Sequence, residues 1–90
     1  PNVQRLGKIN IGETVPEQMA SDRVLEKDAI ERLNKGIALC VEQSDNGTRA
    51  LFEEILTSEE EHLDWLEVQI DQIEHVGVQN YLAAQIRGDD

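Results

Sequence analysis

Residues 51–73 read LFEEILTSEEEHLDWLEVQIDQI, a long stretch that contains no proline and no glycine. Its apolar side chains recur with a spacing of three to four residues, which is the period of one face of an α-helix. The apolar positions are Leu51, Phe52, Ile55, Leu56, Leu63, Leu66, Ile70 and Ile73. Continued at the same spacing, this stripe passes through Glu59 and His62. The pattern therefore predicts a long packing helix with a carboxylate and an imidazole at core positions.

Glu59 and His62 are three residues apart, so they share one face of the predicted helix. Burying a carboxylate and an imidazole without partners costs several kcal/mol, and a metal ion would satisfy both groups at once. A single Glu-x-x-His pair on a helix is most often a surface ion pair. The pair alone therefore leaves both interpretations open, and further ligands must decide between them.

A second helix is predicted over residues 15–43. Thr14 can cap it, Glu17 completes a capping box, and Pro16 falls in the first turn, where its missing N–H is harmless. The apolar period continues past Gly36, so we predict one helix rather than two. Its stripe consists of Met19, Asp22 or Arg23, Glu26, Ile30, Leu33, Ile37 and Cys40. The stripe therefore carries a second carboxylate at a core position.

Residues 44–47, SDNG, form a turn signal between the two helical patterns. They lead into a helix over residues 48–76, about 43 Å long, which Gly77 is suited to end. The two helices then fold back on each other as an antiparallel hairpin. A short C-terminal helix is predicted over residues 79–87, and an extended arm is predicted over residues 1–14. We therefore expect an all-α domain.

Each helix of such a hairpin has an apolar face that its neighbour covers only in part. The simplest way to cover the remainder is to pack two chains face to face as a four-helix bundle with two-fold symmetry. Two-helix chains of this kind are therefore expected to dimerise.

The predicted hairpin brings three candidate ligands to similar heights. Glu26 lies about 18 residues before the centre of the turn, and Glu59 and His62 lie about 14 and 17 residues after it. Two chains would then supply four carboxylates and two imidazoles, which is the ligand set of carboxylate-bridged di-iron and di-manganese bundles. These ligands suit Fe or Mn and tolerate Zn.

The composition disfavours several other classes of function. The 90 residues are enough for one small domain. The formal net charge of −11 disfavours nucleic acid as a binding partner, because proteins bind nucleic acid through Lys and Arg. An acidic surface concentrates cations, although it can also serve solubility alone. No apolar run is long enough to span a membrane. The single cysteine, Cys40, excludes an intramolecular disulfide and fits a reducing cytoplasm. Pro1 fits the trimmed start of a complete short protein.

The chain resembles the C-terminal half of a bacterioferritin along almost its whole length. The resemblance is carried by residues 6–13 (LGKINIGE), 21–22 (SD), 59–67 (EEEHLDWLE) and 77–86 (GVQNYLAAQI). It implies a ferritin-like four-helix bundle, in which the last helix corresponds to the family's short fifth helix. The family's first two helices have no counterpart here. The resemblance therefore implies a single half-ferritin domain, or mini bacterioferritin, that a second chain completes.

By this resemblance, Glu26, Glu59 and His62 correspond to three of the family's six ferroxidase ligands, which are both catalytic and metal-binding. The implied function is iron storage and detoxification in the cytoplasm. Two iron ions per dimer would bind between the chains, and Fe(II) would be oxidised by O2 or H2O2. The implied assembly is at least a homodimer and extends to a hollow shell. The family's haem methionine is absent and Glu60, its counterpart, is a poor axial ligand, so haem is disfavoured but left open.

Two other interpretations of the sequence stay open. The chain could be a non-catalytic structural subunit of a bacterioferritin-like shell, either alone or together with a full-length partner. It could also buffer a divalent metal without redox turnover. The sequence does not choose between Fe and Mn, or between O2 and H2O2 as the oxidant.

Overall fold

The computed structural model describes residues 14–88, which form three helices and no strand. The helices are α1, Val15–Glu42; α2, Asn46–Val76; and α3, Val78–Gly88. Contacts between α1 and α2 run in opposite order along the chain, because Gly36 lies against Phe52 whereas Glu26 lies against His62. The predicted all-α fold, an antiparallel hairpin followed by a short C-terminal helix, is confirmed. The predicted arm falls outside the described residues, except for Thr14.

Local capping explains where the two long helices begin. The Glu17 amide donates to Thr14 Oγ1 at 3.2 Å and the Thr14 amide donates to Glu17 Oε1 at 3.3 Å, which is the predicted capping box. α2 begins at Asn46, two residues before the predicted start. The reason is that Asp45 is the N-cap and accepts a hydrogen bond from the Thr48 amide at 3.1 Å.

Two residues with positive φ follow the ends of the long helices. α1 ends at Glu42, one residue earlier than predicted, and Ser44 turns the chain with a φ of 56°. α2 ends at Val76, and Gly77 leads into α3 with a φ of 82°, which glycine adopts without steric strain. α3 therefore starts after a single non-helical residue.

The apolar residues of α2 divide into two neighbouring stripes rather than the single predicted one. The inner seam is turned toward α1 and consists of Phe52, Leu56, Glu59, Leu63, Leu66, Ile70 and Ile73. The outer seam consists of Leu51, Ile55, Ser58, His62, Trp65 and Gln69. The inner seam is buried or half-buried along its length, whereas Leu51 is 54% exposed, Ile55 40% and Trp65 52%. Both seams alternate spacings of three and four residues, which is the pattern of helices that pack against others.

A single hairpin buries little of its apolar surface. Within residues 14–88, the buried apolar side chains are Cys40, Leu66, Ile73 and Tyr81. On α1 the half-buried position is Arg23 rather than Asp22, and Leu25 and Leu39 are exposed. No helix in the described part of the chain is both long and apolar enough to cross a membrane.

A close contact between the two long helices predicts opposite effects at two glycines. A Cβ on Gly36 would lie 2.9 Å from Phe52 Cε2, whereas a Cβ on Gly47 would have nothing within 4 Å. Both glycines are helical, so alanine should gain up to about 1 kcal/mol of helix propensity at Gly36 and less at Gly47, which is only the second residue of α2. Overpacking against Phe52 should offset that gain at Gly36, by about 1–3 kcal/mol.

We therefore expect Gly47→Ala to raise the free energy of unfolding slightly and Gly36→Ala to lower it by up to about 2 kcal/mol. Urea unfolding of the two variants, at matched protein concentration, measures the difference. Equal stabilisation by both substitutions would show that Phe52 moves aside at no cost.

α3 is docked on α2 through a buried polar contact. The Tyr81 hydroxyl donates a hydrogen bond to Gln69 Oε1, and both side chains are buried. A buried amide oxygen without a donor is costly, so this bond fixes where α3 lies. α3 thereby covers Gln69, the last residue of the outer seam.

Candidate metal site

Three side chains from the two long helices converge near the middle of the hairpin. Glu26 comes from α1, and Glu59 and His62 come from neighbouring turns of α2. His62 Nδ1 lies 3.3 Å from Glu26 Oε1, and the carboxyl group of Glu26 is close enough to Glu59 to raise the pKa of Glu59. The antiparallel packing thus gathers the three predicted residues, as their sequence positions relative to the turn suggest.

Glu26 holds a buried oxygen that lacks a partner. Its side chain is only 15% exposed, and one carboxylate oxygen, Oε2, is buried and has no hydrogen-bond donor as long as Glu59 is ionised. Such a group loses its water and gains nothing in return, which costs free energy in the metal-free chain. A hard cation is a natural partner for a carboxylate oxygen beside a second carboxylate and an imidazole. The chemistry of these three side chains therefore suits a divalent metal.

The Glu26 side chain makes Glu59 easier to protonate. A hydrogen bond with the Glu26 side chain is the main cause that raises the pKa of Glu59; partial burial and the negative charge of Glu26 act in the same direction. His62 opposes the rise, since its positive form favours an ionised Glu59. Two carboxyl groups can share a hydrogen bond only if one carries a proton. A bound cation would replace that proton and relieve the repulsion.

His62 belongs to the outer seam and is only partly covered by its own chain. Its side chain is 50% exposed, and its ring stacks on Trp65 with the ring centroids 6.2 Å apart and the planes 26° from parallel. Because Nδ1 faces Glu26, the opposite edge of the ring is turned away from α1. The imidazole therefore has one nitrogen in the site and the other available to a further partner.

An open groove of about 470 Å³ runs along the hairpin next to this cluster. Glu59 lines it together with Ile55 and Phe52 of α2 and with residues of α1, namely Ala29, Arg32, Leu33 and Gly36. Sequence reasoning did not single out Arg32 or the groove-lining role of Ile55. The spacing of the outer seam was the signal that could have identified Ile55, but no signal marked Arg32.

The described residues of one chain do not form a complete metal site. Among residues 14–88, no group of three or more His, Cys, Asp and Glu side chains is arranged to hold a metal ion. Glu60 and Glu61, next to the cluster in sequence, are exposed, and so is Asp64. His75 is exposed as well, and its Nδ1 lies 2.8 Å from the Asp71 carbonyl oxygen.

The raised pKa of Glu59 predicts a pH dependence of the metal-free protein. Folding raises this pKa, so the folded chain holds the proton more tightly than the unfolded chain. The resulting stabilisation is fully present below pH 4.5, the ordinary pKa of the group. It is lost as pH rises through the pKa that Glu59 has in the folded chain. Glu59→Gln cannot ionise and should lack this loss.

We therefore expect Glu59→Gln to become progressively more stable, relative to the unmodified chain, as pH rises. Urea midpoints in EDTA, from roughly pH 4 to pH 8, measure it. Glu60→Gln is the matched control, because Glu60 is exposed and adjacent. Parallel profiles for Glu59→Gln and the unmodified chain would contradict the shared-proton description.

Comparisons with known proteins place these residues in a wider context. The sequence model of the ferritin-like domain matches residues 1–76. The chain is 41% identical over 83 residues to a bacterioferritin of Mycobacterium bovis, and 42% identical over 86 residues to a bacterioferritin of Streptomyces coelicolor. It is 38% identical over 87 residues to a bacterial ferritin of Synechocystis sp..

These matches differ greatly in how much of each protein they cover. They include 92% to 96% of this chain but only 52% to 56% of the relatives. The chain thus spans about half the length of the curated relatives it matches. Whatever the other half contributes in those proteins is not supplied by these 90 residues.

Proposed function

Because this chain belongs to the ferritin-like domain family, we propose that it is a ferroxidase that stores and detoxifies iron, with Fe(II) as its substrate. Its similarity to bacterioferritins over nearly its whole length supports iron as the metal. The observation that carries the proposal is the buried, unpartnered Oε2 of Glu26 beside Glu59 and His62. An anionic, half-covered cluster of this kind needs a cation.

In this proposal two chains build one site and bind two iron ions. Each chain contributes Glu26, Glu59 and His62, which together make four carboxylates and two imidazoles. Glu26 would be a terminal ligand, and Glu59 would bridge the two ions together with its mate in the second chain. His62 would bind through Nδ1, the nitrogen that faces Glu26 at 3.3 Å. Its other nitrogen would donate a hydrogen bond to an acceptor beyond the site.

The reaction moves two electrons. Each Fe(II) gives up one electron, and O2 takes up both with two protons to form H2O2. With H2O2 as the oxidant, the same two electrons and two protons yield two molecules of water. The carboxylates bind Fe(III) more strongly than Fe(II), because hard oxygen anions favour the higher charge. Glu26 and Glu59 would therefore favour the oxidised product.

The proposed assembly is a homodimer at minimum, extended to a hollow shell in the cytoplasm. The exposed outer seam and the open groove support the dimer, since both present apolar surface next to the ligands. The net charge of −11 would draw cations toward such an assembly. Haem is not part of the proposal, because Glu60 is exposed and the chain's one methionine, Met19, lies on α1.

Anaerobic titration with Fe(II), followed by exposure to air, tests the function. We expect binding to saturate at one iron per chain, and ferric absorbance to grow together with O2 consumption. Saturation at one iron per chain with no growth of ferric absorbance, either in air or with H2O2, would contradict ferroxidase activity and favour a metal buffer. Absence of binding would contradict the site itself.

A second candidate is a non-catalytic subunit of a bacterioferritin-like shell. The incomplete ligand set of the described residues favours it, since a longer partner chain could supply further ligands. Purification of the chain alone separates the two candidates. A stable homo-oligomer that oxidises iron supports the first, whereas a chain that is stable and active only with a longer partner supports the second.

A further inference from the structure

The outer seam of α2 is open at one end of the hairpin and closed at the other. Leu51, Ile55, His62 and Trp65 are exposed, whereas Gln69 is only 8% exposed because Tyr81 of α3 lies on it. The seam would continue beyond Gln69 to Val76, which is 50% exposed and seven residues further on. α3 therefore interrupts a stripe that the α2 sequence itself extends.

The open part of the seam is centred on the candidate ligands. It runs from Leu51 to Trp65, so its midpoint is Ser58, which is adjacent to Glu59. If two chains pack their open seams together about a two-fold axis perpendicular to the helices, the midpoint of the seam lies on that axis. Glu59 would then be offset from its mate by only about 3 Å along the helix direction.

We propose that α3 sets the register of the two-chain site by covering the end of the outer seam. This inference rests on the proposed function, since it concerns the same site. Tyr81 is a positioning residue in this account: it touches neither iron nor its ligands, but restricts the second chain to the stretch from Leu51 to Trp65. The occupant of the seam is a second copy of this chain.

If α3 is released from α2, the two-fold axis that relates the two chains should move along α2. With Gln69 uncovered, the open seam continues from Leu51 to Val76, which is already 50% exposed, and its midpoint moves by between about five and six residues toward the C-terminus of α2. Glu59 and its mate would then be offset by about 14 Å along the helix direction, too far to bridge two metal ions. The register of the dimer and the integrity of the site are thus linked.

Distances between spin labels test this register directly. A label on Glu53→Cys is exposed and far from the ligands, and buried Cys40 should remain unlabelled. We expect a single short distance in the otherwise unmodified chain. In Tyr81→Ala a second population should appear, as the axial separation rises from roughly 15 Å to roughly 31 Å. Iron bound per chain should fall in proportion to that population.

Two further variants keep the result interpretable. Gln79→Ala changes an exposed residue of α3 and should leave the distance unchanged. Adding Val76→Lys to Tyr81→Ala places a charge on the extended seam, so the short distance and the iron content should return. If Tyr81 only contributed to general stability, adding Val76→Lys would not restore the short distance or the iron content. A chain that ends at Gly77 removes α3 altogether and should behave as Tyr81→Ala does.

The proposed register of the dimer and the proposed iron chemistry can each be disproved without the other. A Tyr81→Ala dimer with the original distance and one iron per chain overturns the inference and leaves the proposed function intact. A single short distance in the unmodified chain that lengthens in Tyr81→Ala, with no iron bound in either, supports the register and overturns the proposed function.

Discussion

Replacing Glu26 by alanine is expected to slow the growth of ferric absorbance, after Fe(II) is added in air, by at least about 10- to 100-fold. Losses of that size follow the removal of residues that merely support metal ligands, so loss of a proposed ligand should cost no less. Glu26 also holds the buried oxygen that lacks a partner in the metal-free chain. His62→Ala should have a similar effect, because it removes the imidazole that faces Glu26.

In the absence of metal, Glu26→Ala should not lower the free energy of unfolding, although it slows iron oxidation. Glu26→Ala removes one of two competing carboxylates, so the metal-free variant should be at least as stable as the unmodified chain. Glu60→Ala is the matched control for the kinetics, since Glu60 is exposed and lies next to Glu59. If Glu26→Ala and His62→Ala oxidise iron as fast as Glu60→Ala does, the site has been assigned to the wrong residues.

Ile55→Asp is expected to weaken association of two chains by at least about 100-fold, at 1.4 kcal/mol for each tenfold change. Ile55 is 40% exposed in the single hairpin and lines the groove beside Glu59. A carboxylate there would be buried against the second chain without a partner, at a cost of several kcal/mol. Because the proposed site needs both chains, iron binding should be lost together with the dimer.

Val24→Asp provides the comparison for the effect on association. Val24 is 66% exposed, and it shares its face of α1 with the charged residues Asp28, Glu31 and Lys35. This substitution should leave the dimer and its iron content unchanged. Sedimentation analysis over a range of concentrations measures both dissociation constants. Equal effects of the two substitutions would show that the outer seam is not the surface that joins the chains.

The sequence was informative wherever one local rule decides the outcome. The capping box at Thr14 and Glu17 was visible as a pair of residue types at a fixed spacing, and the structure contains it. Equal distances from a tight turn were enough to predict that Glu26 and His62 could meet, and they lie 3.3 Å apart. Their role as metal ligands is our proposal.

The remaining features depend on packing that no local pattern reveals. The α2 stripe appears as one broad face in sequence, and only the position of α1 shows which half it covers. Tyr81 and Gln69 are twelve residues apart and on different helices, so their contact requires the turn at Gly77 to be known. The start of α2 was missed because Asp45, Asn46 and Gly47 all favour turns, and the structure uses only Asp45 as the cap.

The half-covered state of the outer seam makes each chain sensitive to dilution. In the proposed dimer, much of the apolar surface that stabilises the hairpin is buried only when a second hairpin packs on it, so folding and association would be coupled by mass action. The midpoint of thermal unfolding should then rise with total protein concentration instead of being a fixed property of the chain. A cell that makes few copies would hold mostly unpaired hairpins, and iron oxidation would begin only once synthesis exceeds the level at which chains pair.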